Sequence, residues 1–432
     1  MNQTGASSLL LKGGRLLCPA SGLDQAGDLL IKNGLVAALG RDLDEPGAQV
    51  IDCAGLLVTP GLMDLHVHLR EPGQEYKETV ASGSAAAAAG GFTGVCSMPN
   101  TSPVNDSCAV TELILHKARQ AGLCRVYPVG AITQGLKGQA LSEMAELKEA
   151  GCVAVSDDGH PVADSRLLRR AMEYAAGFDL PVICHSEDIR LSAGGVMHEG
   201  PTATRLGLKG IPAEAEVICV ERDLNLARLT GARVHIAHVS CAGSLKAVAR
   251  AKDAGLAVTC ETAPHYLMLC DRDVGDYDTN FKVNPPLRTP ADGRALRRGL
   301  ADGVIDALAT DHAPHSILEK EVAFDQATFG VVGLETALGV ALHLVEEGGL
   351  SLHQAVSRLT SAPAQALGLP GGRLQEGSPA DVTVIDTARP WTVDPGRFRS
   401  LSRNTPFTGS SLPGRAVLTI LGGRITHRLQ GD

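Results

Sequence analysis

The distribution of apolar and polar residues divides the chain into three parts. In the first 60 residues, short apolar segments such as SLLLKGGRLL and GDLLIKNGLVAAL are separated by turns that contain Gly and Asp. Segments of this kind without a helical period are typical of β-strands. The same texture returns near the C-terminus in GSPADVTVID and GRAVLTILGGRIT. Between these flanks, strand-like runs alternate with helix-like stretches such as AVTELILHKARQAG, DSRLLRRAMEYAAG and AEAEVICVERDLNLARLTG.

The middle part contains eight strand-like runs that are almost entirely apolar. They lie at residues 62–69, 94–100, 125–132, 153–158, 181–186, 233–239, 257–263 and 306–311. Apolar runs of this kind are expected for parallel strands that are covered on both faces. Eight of them alternating with helices over about 300 residues predict a (β/α)8 TIM-like barrel. An open doubly wound sheet is the alternative, but no GxGxxG segment follows the early strands.

The expected architecture is therefore an α/β protein with two domains. Residues 61–368 would form the barrel. Residues 1–60 and 369–432 would form a small β-sandwich domain built from both chain termini, because these flanks share the same strand-like pattern.

Composition narrows the class of protein. The chain has 432 residues and a formal net charge of −9, which disfavours binding to nucleic acid. Its 11 cysteines include no CxxC pair, as expected for reduced thiols in a cytosolic protein. The N-terminus lacks the basic segment of a signal peptide, and no run approaches the ~18 apolar residues of a membrane span. We expect a cytoplasmic protein that does not insert into a membrane.

Histidine and aspartate residues are concentrated at the ends of the predicted strands. The first strand contains His66 and His68, which strand alternation places on one side. The remaining strand-end residues of this kind are Asp157 and Asp158 on the fourth strand, His185 on the fifth, His238 on the sixth, and Asp311, His312 and His315 after the eighth. Active sites of such barrels lie at the C-terminal strand ends. Imidazole and carboxylate ligands without thiolates favour zinc or a similar divalent ion, so the pattern predicts a metallohydrolase.

Several longer segments indicate the family to which a chain with this pattern is similar. They are DLHVHLREPGQEYKET, SMPNT, SDDG, ICHSED, IAHVS, KVNPPLR, ATDHAPH and FGVVGLE, all between residues 64 and 335, with NTPFTG further on. Through them the chain resembles the amidohydrolase superfamily and, within it, the class I dihydroorotases. Related hydantoinases carry a carboxylated lysine on the fourth strand. This chain offers Asp157 and Asp158 in VAVSDDGH instead.

The resemblance implies a site with one or two zinc ions, two being favoured. His66, His68 and Asp311 would bind one ion, and His185 and His238 the other, with Asp158 bridging both. The choice of Asp158 over Asp157 rests on the family, because adjacent strand residues face opposite ways. Asp157 is then expected to form a turn hydrogen bond. His312 receives no catalytic part, and His265 is expected to be structural.

The resemblance also implies the reaction, which is the reversible cyclisation of N-carbamoyl-L-aspartate to (S)-dihydroorotate in pyrimidine biosynthesis. In the hydrolytic direction a metal-activated water attacks the ring amide, and Asp311 acts as general base and then as general acid. Arg70 would pair with the substrate carboxylate because its guanidinium forms bidentate contacts. The other substrate-binding residues implied are His68, Asn100, Asn284, His315, Phe329 and Gly330.

Two alternative functions and three further expectations accompany this prediction. The chain could be another cyclic-amide hydrolase, such as a dihydropyrimidinase or hydantoinase, or a catalytically silent structural partner of aspartate transcarbamoylase. A homodimer is expected from the family, and association with aspartate transcarbamoylase is an open possibility. The polar segment 315–330 is a candidate lid over the substrate, since closure would exclude water.

Overall fold

The computed structural model describes residues 8–430. Three groups of strands follow one another along these residues. The first group is β1 (Leu9–Cys18), β2 (Leu23–Lys32), β3 (Leu35–Gly40), β4 (Gln49–Asp52) and β5 (Leu57–Pro60). The second is β6 (Leu62–Val67), β7 (Phe92–Ser97), β8 (Arg125–Gly130), β9 (Ala154–Ser156), β10 (Val182–Cys184), β11 (Met197–His198), β12 (Gly210–Ile211), β13 (Val234–Ile236), β14 (Val258–Thr262) and β15 (Ala307–Leu308). The third is β16 (Val382–Asp386), β17 (Trp391–Thr392), β18 (Ser411–Leu412), β19 (Arg415–Leu421) and β20 (Arg424–Arg428).

Strands from both chain ends form one sheet, in the order β20-β19-β16-β5-β1-β2-β3, with β4 also paired to β1. The strand β1 pairs in parallel with β4 through residues 9–12 and with β5 through Arg15 and Leu16. Apolar side chains from both ends, including Leu16, Ile31 and Val384, share one core. The small β domain built from both termini is thus confirmed. Its strands form a single sheet, in which β1 pairs with β4 over its first residues and with β5 further on. The exact domain boundaries stay a prediction.

The middle part of the chain forms the predicted barrel. Its eight parallel strands are ordered β15-β14-β13-β10-β9-β8-β7-β6. The barrel closes through His312, which forms parallel bridges with Val67 and Val331, and the His68 N–H donates to the His312 carbonyl at 2.8 Å. Each strand corresponds to one of the eight predicted runs. Seven of the eight stop two or more residues short of the predicted C-terminal end, so most of the residues singled out there lie in the loops that follow.

The helices that cover the barrel follow its strands in sequence. They are α1 (Val80–Ala89), α2 (Cys108–Ala121), α3 (Met144–Ala150), α4 (Ser165–Gly177), α5 (Pro201–Leu206), α6 (Glu214–Thr230), α7 (Ala242–Asp253), α8 (Pro264–Met268), α9 (Pro290–Asp302), α10 (Ile317–Lys320), α11 (Ala337–Glu346), α12 (Leu352–Leu359) and α13 (Ser361–Leu367). The three predicted helices correspond to α2, α4 and α6. Within residues 8–430, no helix is both long and apolar enough to span a membrane.

Two packing features position the site. Inside the barrel, strand residues such as Met63 and Ile183 pack with Ala364 and Leu367 of α13, which fills the interior with apolar side chains. On the outside, the segment between β17 and β18 packs against the start of α11, because Phe398 and Phe407 share a core with Val332 and Val340. The C-terminal part of the chain therefore reaches the loops at the C-terminal ends of the barrel strands.

Candidate metal centre

Four imidazoles and two carboxylates meet at the C-terminal ends of the barrel strands. His66 lies in β6 and His68 immediately follows it. Asp158, His185 and His238 follow β9, β10 and β13 by one or two residues, and Asp311 follows β15 by three. All six residues are buried. Every residue predicted as a metal ligand is thus brought to one place.

The Asp158 carboxylate lies between two pairs of histidines. On one side its Oδ1 is 3.4 Å from His66 Nε2, and its Oδ2 is 3.6 Å from His68 Nε2. On the other side Oδ1 is 3.4 Å from His185 Nδ1 and 3.6 Å from His238 Nε2. This position between both pairs is the one required of a bridging ligand.

The donor atoms fit two cations. One set of ligand atoms comes from His66, His68 and Asp158, and a second from Asp158, His185 and His238, each set lying within 4.8 Å. Among the described residues, the buried His66 Nε2 and Asp158 Oδ1 have no hydrogen-bond partner. Unpaired buried polar atoms are costly, and imidazole and carboxylate ligands bind zinc-like divalent ions. The residues present therefore fit a divalent metal centre.

Neighbouring groups orient three of the imidazoles. The His66 Nδ1–H donates to Glu261 at 2.8 Å, and the His185 Nε2–H donates to Glu187 at 3.0 Å. The His68 Nδ1–H donates to the Asn100 side-chain oxygen at 2.8 Å. Each bond leaves the other ring nitrogen with its lone pair directed at the centre, the arrangement that metal-binding histidines use. The sequence interpretation missed Glu261 and Glu187, although a glutamate in an apolar strand end is itself a signal of a buried polar contact.

The two aspartates of the centre are held as carboxylates. Burial opposes ionisation of Asp158, but the neighbouring His66, His185 and His238 lower its pKa well below the usual value. Burial likewise opposes ionisation of Asp311, and the adjacent His66 and His68 lower its pKa. The Asp311 Oδ1 is 3.2 Å from His68 Nε2 and 3.6 Å from His66 Nε2. An ionised Asp311 at this position can both ligate a cation and accept a proton.

The backbone is strained at three positions of the site. His238, Asp311 and Arg70 have φ values of +33°, +48° and +62°. Positive φ is uncommon for residues other than glycine and clusters at functional sites. For Arg70 this means that the alternation of β6, which ends at Val67, does not continue to it.

Two residues adjacent to ligands serve the framework. The Asp157 carboxylate accepts the backbone N–H groups of Ile132 and Thr133 at 2.8 and 3.0 Å, in line with its predicted turn role. The His312 ring contacts Glu78 at 3.4 Å and accepts the Gly333 N–H. His265 is fully buried beside Tyr266, and burial lowers its pKa to about 4.

The residues predicted to bind the substrate carboxylate lie together. Arg70 is buried, its Nε donates to the Pro314 carbonyl, and its Nη2 is 3.3 Å from His315 Nε2. Burial and the positive charges of Arg70, Lys77 and Lys320 lower the pKa of His315 to about 2. An uncharged His315 beside a buried guanidinium is an arrangement suited to binding an anion.

The remaining predicted substrate residues have intramolecular partners in the structure. The Asn284 Nδ2 donates to Glu187 at 2.9 Å, and the Gly330 N–H donates to the Lys282 carbonyl at 2.9 Å. Gly330 has a φ of +130°, and a Cβ there would lie 2.7 Å from Ala313 Cβ and 3.0 Å from His315 Nε2. Binding by Phe329 and Gly330 stays a prediction, and so does the lid. Part of that segment is exposed at Ile317 and Leu318.

Asn404 is a further residue that the sequence interpretation missed. Its Nδ2 donates to the Ala313 and Gly330 carbonyls, and its Oδ1 accepts the His315 N–H, each at 3.1 Å. It lies in the NTPFTG segment near the C-terminus, which carried the resemblance without suggesting a role. Its contacts fix the backbone next to the Arg70–His315 pair.

A parallel barrel whose strand ends present an HxH pair, two further histidines and two aspartates defines a metal-dependent amidohydrolase. Sequence comparison agrees, because the profile described as Dihydro-orotase-like matches residues 55–244 and that of the Amidohydrolase family matches residues 221–427. The chain belongs to the dihydroorotase family. It is 58% identical over 422 residues to a dihydroorotase of Anaeromyxobacter sp. (strain K), covering 97% of this chain and 98% of the relative. A dihydroorotase of Geobacter metallireducens is 54% identical over 422 residues, covering 98% of this chain and 100% of the relative.

Solved structures give the same fold. The L-hydantoinase (dihydropyrimidinase) of Arthrobacter aurescens superimposes with a TM-score of 0.88 at 27% identity, covering 98% of this chain and 96% of that one. A dihydropyrimidinase of Brevibacillus agri NCHU1002 has a TM-score of 0.83 at 23% identity, covering 98% and 95%. The second likeness concerns the fold alone.

Proposed function

We propose that the chain catalyses the reversible conversion of N-carbamoyl-L-aspartate to (S)-dihydroorotate, the dihydroorotase reaction of pyrimidine biosynthesis. The observation that carries this proposal is the buried Arg70–His315 pair beside a centre of four histidines and two aspartates. A neutral ring substrate would leave the Arg70 guanidinium buried without an anion, which is costly. A dihydroorotate carboxylate would supply that anion.

The proposed cofactor is zinc, with two ions per subunit. His66 and His68 with Asp311 would hold one ion, His185 and His238 the other, and Asp158 both. When bound, such ions lower the pKa of water and polarise a carbonyl oxygen. The position of Asp158 between both histidine pairs favours two ions over one.

In the proposed mechanism, Asp311 moves the proton. Its carboxylate faces His66 and His68, where it would accept a proton from the attacking water and deliver it to the leaving ring nitrogen. Its lowered pKa keeps it in the proton-accepting form at neutral pH. Asp311 is therefore the proposed general base and general acid.

Other residues would orient the ring. Arg70 and His315 would hold the carboxylate, and Asn100 would offer its amide group while its oxygen keeps His68 in place. Asn284 and the backbone at Phe329 and Gly330 would face the amide edge of the ring. Polar groups arranged in this way reject analogues that lack the matching partner.

The test is turnover of dihydroorotate, followed by ultraviolet absorbance on protein of measured zinc content. Dihydrouracil and hydantoin serve as neutral-ring controls. Hydrolysis of dihydroorotate alone is the expected result. Hydrolysis of the neutral rings alone would overturn the assignment of Arg70 to substrate binding.

A second candidate function is hydrolysis of a neutral cyclic amide, as in a dihydropyrimidinase or hydantoinase. The likeness to a solved hydantoinase, with a TM-score of 0.88, is the reason to include neutral-ring substrates in the test. Against it stands the fourth strand, which has no lysine and presents Asp158 instead. A silent structural role is disfavoured as well, because all six predicted ligands are assembled.

The proposed setting is a cytoplasmic homodimer, with aspartate transcarbamoylase as a further partner. Exposed apolar side chains near the substrate loops, among them Ile317 and Leu318, offer a surface for such contacts. Sedimentation of the purified protein alone and with a transcarbamoylase would test both assemblies.

A further inference from the structure

Two lysines are buried beside the proposed substrate pocket. Lys282 is 2% exposed and Lys320 is 4% exposed. Fully buried lysines are rare unless they are paired with an acid. Among the described residues, no carboxylate forms an ion pair with either ammonium group, so their burial needs another explanation.

Both ammonium groups bind carbonyls of one loop, residues 324–330. Lys282 Nζ donates to the carbonyls of Phe324 and Asp325 at 2.7 and 3.1 Å. Lys320 Nζ donates to the carbonyls of Thr328 and Gly330 at 3.0 and 3.1 Å. The Lys282 Nζ also lies 4.6 Å from the centre of the Phe329 ring. The two ammonium groups thus bind four backbone carbonyls that accept no hydrogen bond within a helix or strand.

The lysines connect three segments, and each segment carries proposed substrate residues. Segment 279–285 contains Lys282 and Asn284, segment 315–320 contains His315 and Lys320, and loop 324–330 ends at Phe329 and Gly330. Further bonds join the same segments. The Gly330 N–H donates to the Lys282 carbonyl at 2.9 Å, and the Thr279 hydroxyl donates to the Lys320 carbonyl at 2.6 Å.

The two ammonium groups are destabilised by this arrangement. Burial lowers the pKa of Lys282 to about 8 and that of Lys320 to about 7, the latter also through the positive charge of Lys282. Nearby charged groups are Asp278, Glu319 and Asp325, and the charges of Arg70, Lys77 and Lys320 together act on His315. Buried cations retained at such a cost are typical of functional sites.

We propose that Lys282 and Lys320 are positioning residues that clamp loop 324–330 against segments 279–285 and 315–320 and thereby set the affinity for the acidic substrate. This inference rests on the proposed function. The clamp acts through Asn284, His315, Phe329 and Gly330, and neither lysine is required for the metal centre. Its two cations also add to the positive potential that faces the substrate carboxylate.

The test compares Lys320→Met and Lys282→Met with Lys320→Gln, which keeps amide donors but removes the charge. The KM for dihydroorotate should rise about tenfold or more in the Met variants, because they lose the hydrogen bonds to the loop altogether. It should rise less in Lys320→Gln, whose neutral amide keeps a weaker hydrogen bond than the charged ammonium group makes. Zinc content should be unchanged and kcat should stay within about threefold. The matched control is Lys252→Gln, since Lys252 pairs with Asp306 at 2.6 Å before β15, at the other end of the strands. That variant should keep the wild-type KM.

A second readout reports the loop itself. Chymotrypsin should cleave after Phe324 and Phe329 faster in the Met variants than in the wild type, measured by mass spectrometry of the fragments. Unchanged KM with unchanged cleavage would overturn the clamp. Loss of zinc, or an equal fall of kcat in all variants, would also overturn it. Such a result would show that the lysines stabilise the fold as a whole and not the substrate loop in particular. If the wild type fails to hydrolyse dihydroorotate, the proposed function is wrong, and the cleavage rates still decide whether the lysines hold the loop.

Discussion

The two halves of the proposed active site are built in different ways. The metal half takes its ligands from β6, from the residue that follows it, and from positions one to three residues beyond four other strands. These residues converge because the strands share one closed sheet. The proposed substrate half takes Arg70, His315 and Gly330 from loops, and Lys320 and Asn404 donate hydrogen bonds to the Gly330 carbonyl. The sheet thus places the proposed metal ligands, while the loops place the residues that we propose to bind the substrate. This agrees with a hydantoinase sharing the fold at only 27% identity.

The largest expected effect is in the metal half. Asp311→Ala should lower kcat for dihydroorotate by at least about 10³-fold, because it removes a ligand and the proton acceptor together. Turnover and zinc content of the purified variant are the measurements. Asp306→Asn is the matched control, since it lies just before the same strand and pairs with Lys252 away from the site. A variant at position 311 that kept a tenth of the wild-type kcat would contradict the assignment.

Variants of the adjacent residues Asp157 and Asp158 test whether the direction of a side chain from the strand end determines which residue binds metal. Asp158→Ala should lose bound metal, because its carboxylate lies between both histidine pairs. Asp157→Ala should keep its metal and lose about 1–3 kcal/mol of unfolding free energy, since the N–H groups of Ile132 and Thr133 lose their acceptor. Metal analysis and urea denaturation separate the two outcomes. Equal metal content in both variants would contradict the assignment of Asp158 as the bridging ligand.

In the substrate half, Arg70→Met should raise the KM for dihydroorotate about 10- to 100-fold with zinc content unchanged. The expected size is that of a lost hydrogen-bonded charge pair. Steady-state kinetics with dihydroorotate measures it, and any slow turnover of neutral dihydrouracil should not change. A wild-type KM in this variant would show that the carboxylate binds elsewhere.

The smallest expected effect concerns stability and pH. His315 has a folded-state pKa of about 2, against an ordinary value near 6.5, because burial and Arg70 oppose its protonation. The unfolded chain therefore takes up a proton below about pH 6.5 that the folded chain does not, so stability falls as the pH falls. Between pH 7.5 and 5.0, the wild type should lose about 2 kcal/mol more unfolding free energy than His315→Gln. Urea denaturation at saturating zinc measures the difference, and parallel curves for both proteins would contradict it.

Much of the fold could be read from the sequence because apolar runs report burial directly. All eight barrel strands coincide with predicted runs, and α2, α4 and α6 coincide with predicted helices. The strand pattern alone does not give the direction of Arg70, because β6 ends at Val67 and the backbone of Arg70 lies in the left-handed region. Glu261 and Asn404 were missed because their roles depend on partners that are distant in sequence, whereas Glu187 was missed although its partner His185 is two residues away.

By itself, the sequence determined the barrel, the small domain from both ends and the strand-end histidines and aspartates from which the proposed metal ligands come. Strand periodicity is a local property, and in a parallel barrel it places every strand end at the same face. Only the tertiary structure decided that Asp158 faces the histidines while Asp157 faces Thr133, and that two lysines hold the loop next to His315. These assignments depend on which side of a short strand faces inward and on contacts between separate segments of the chain, such as that of Lys282 with Phe324, 42 residues further on. Local sequence does not encode such contacts, because they are set by how the whole chain packs.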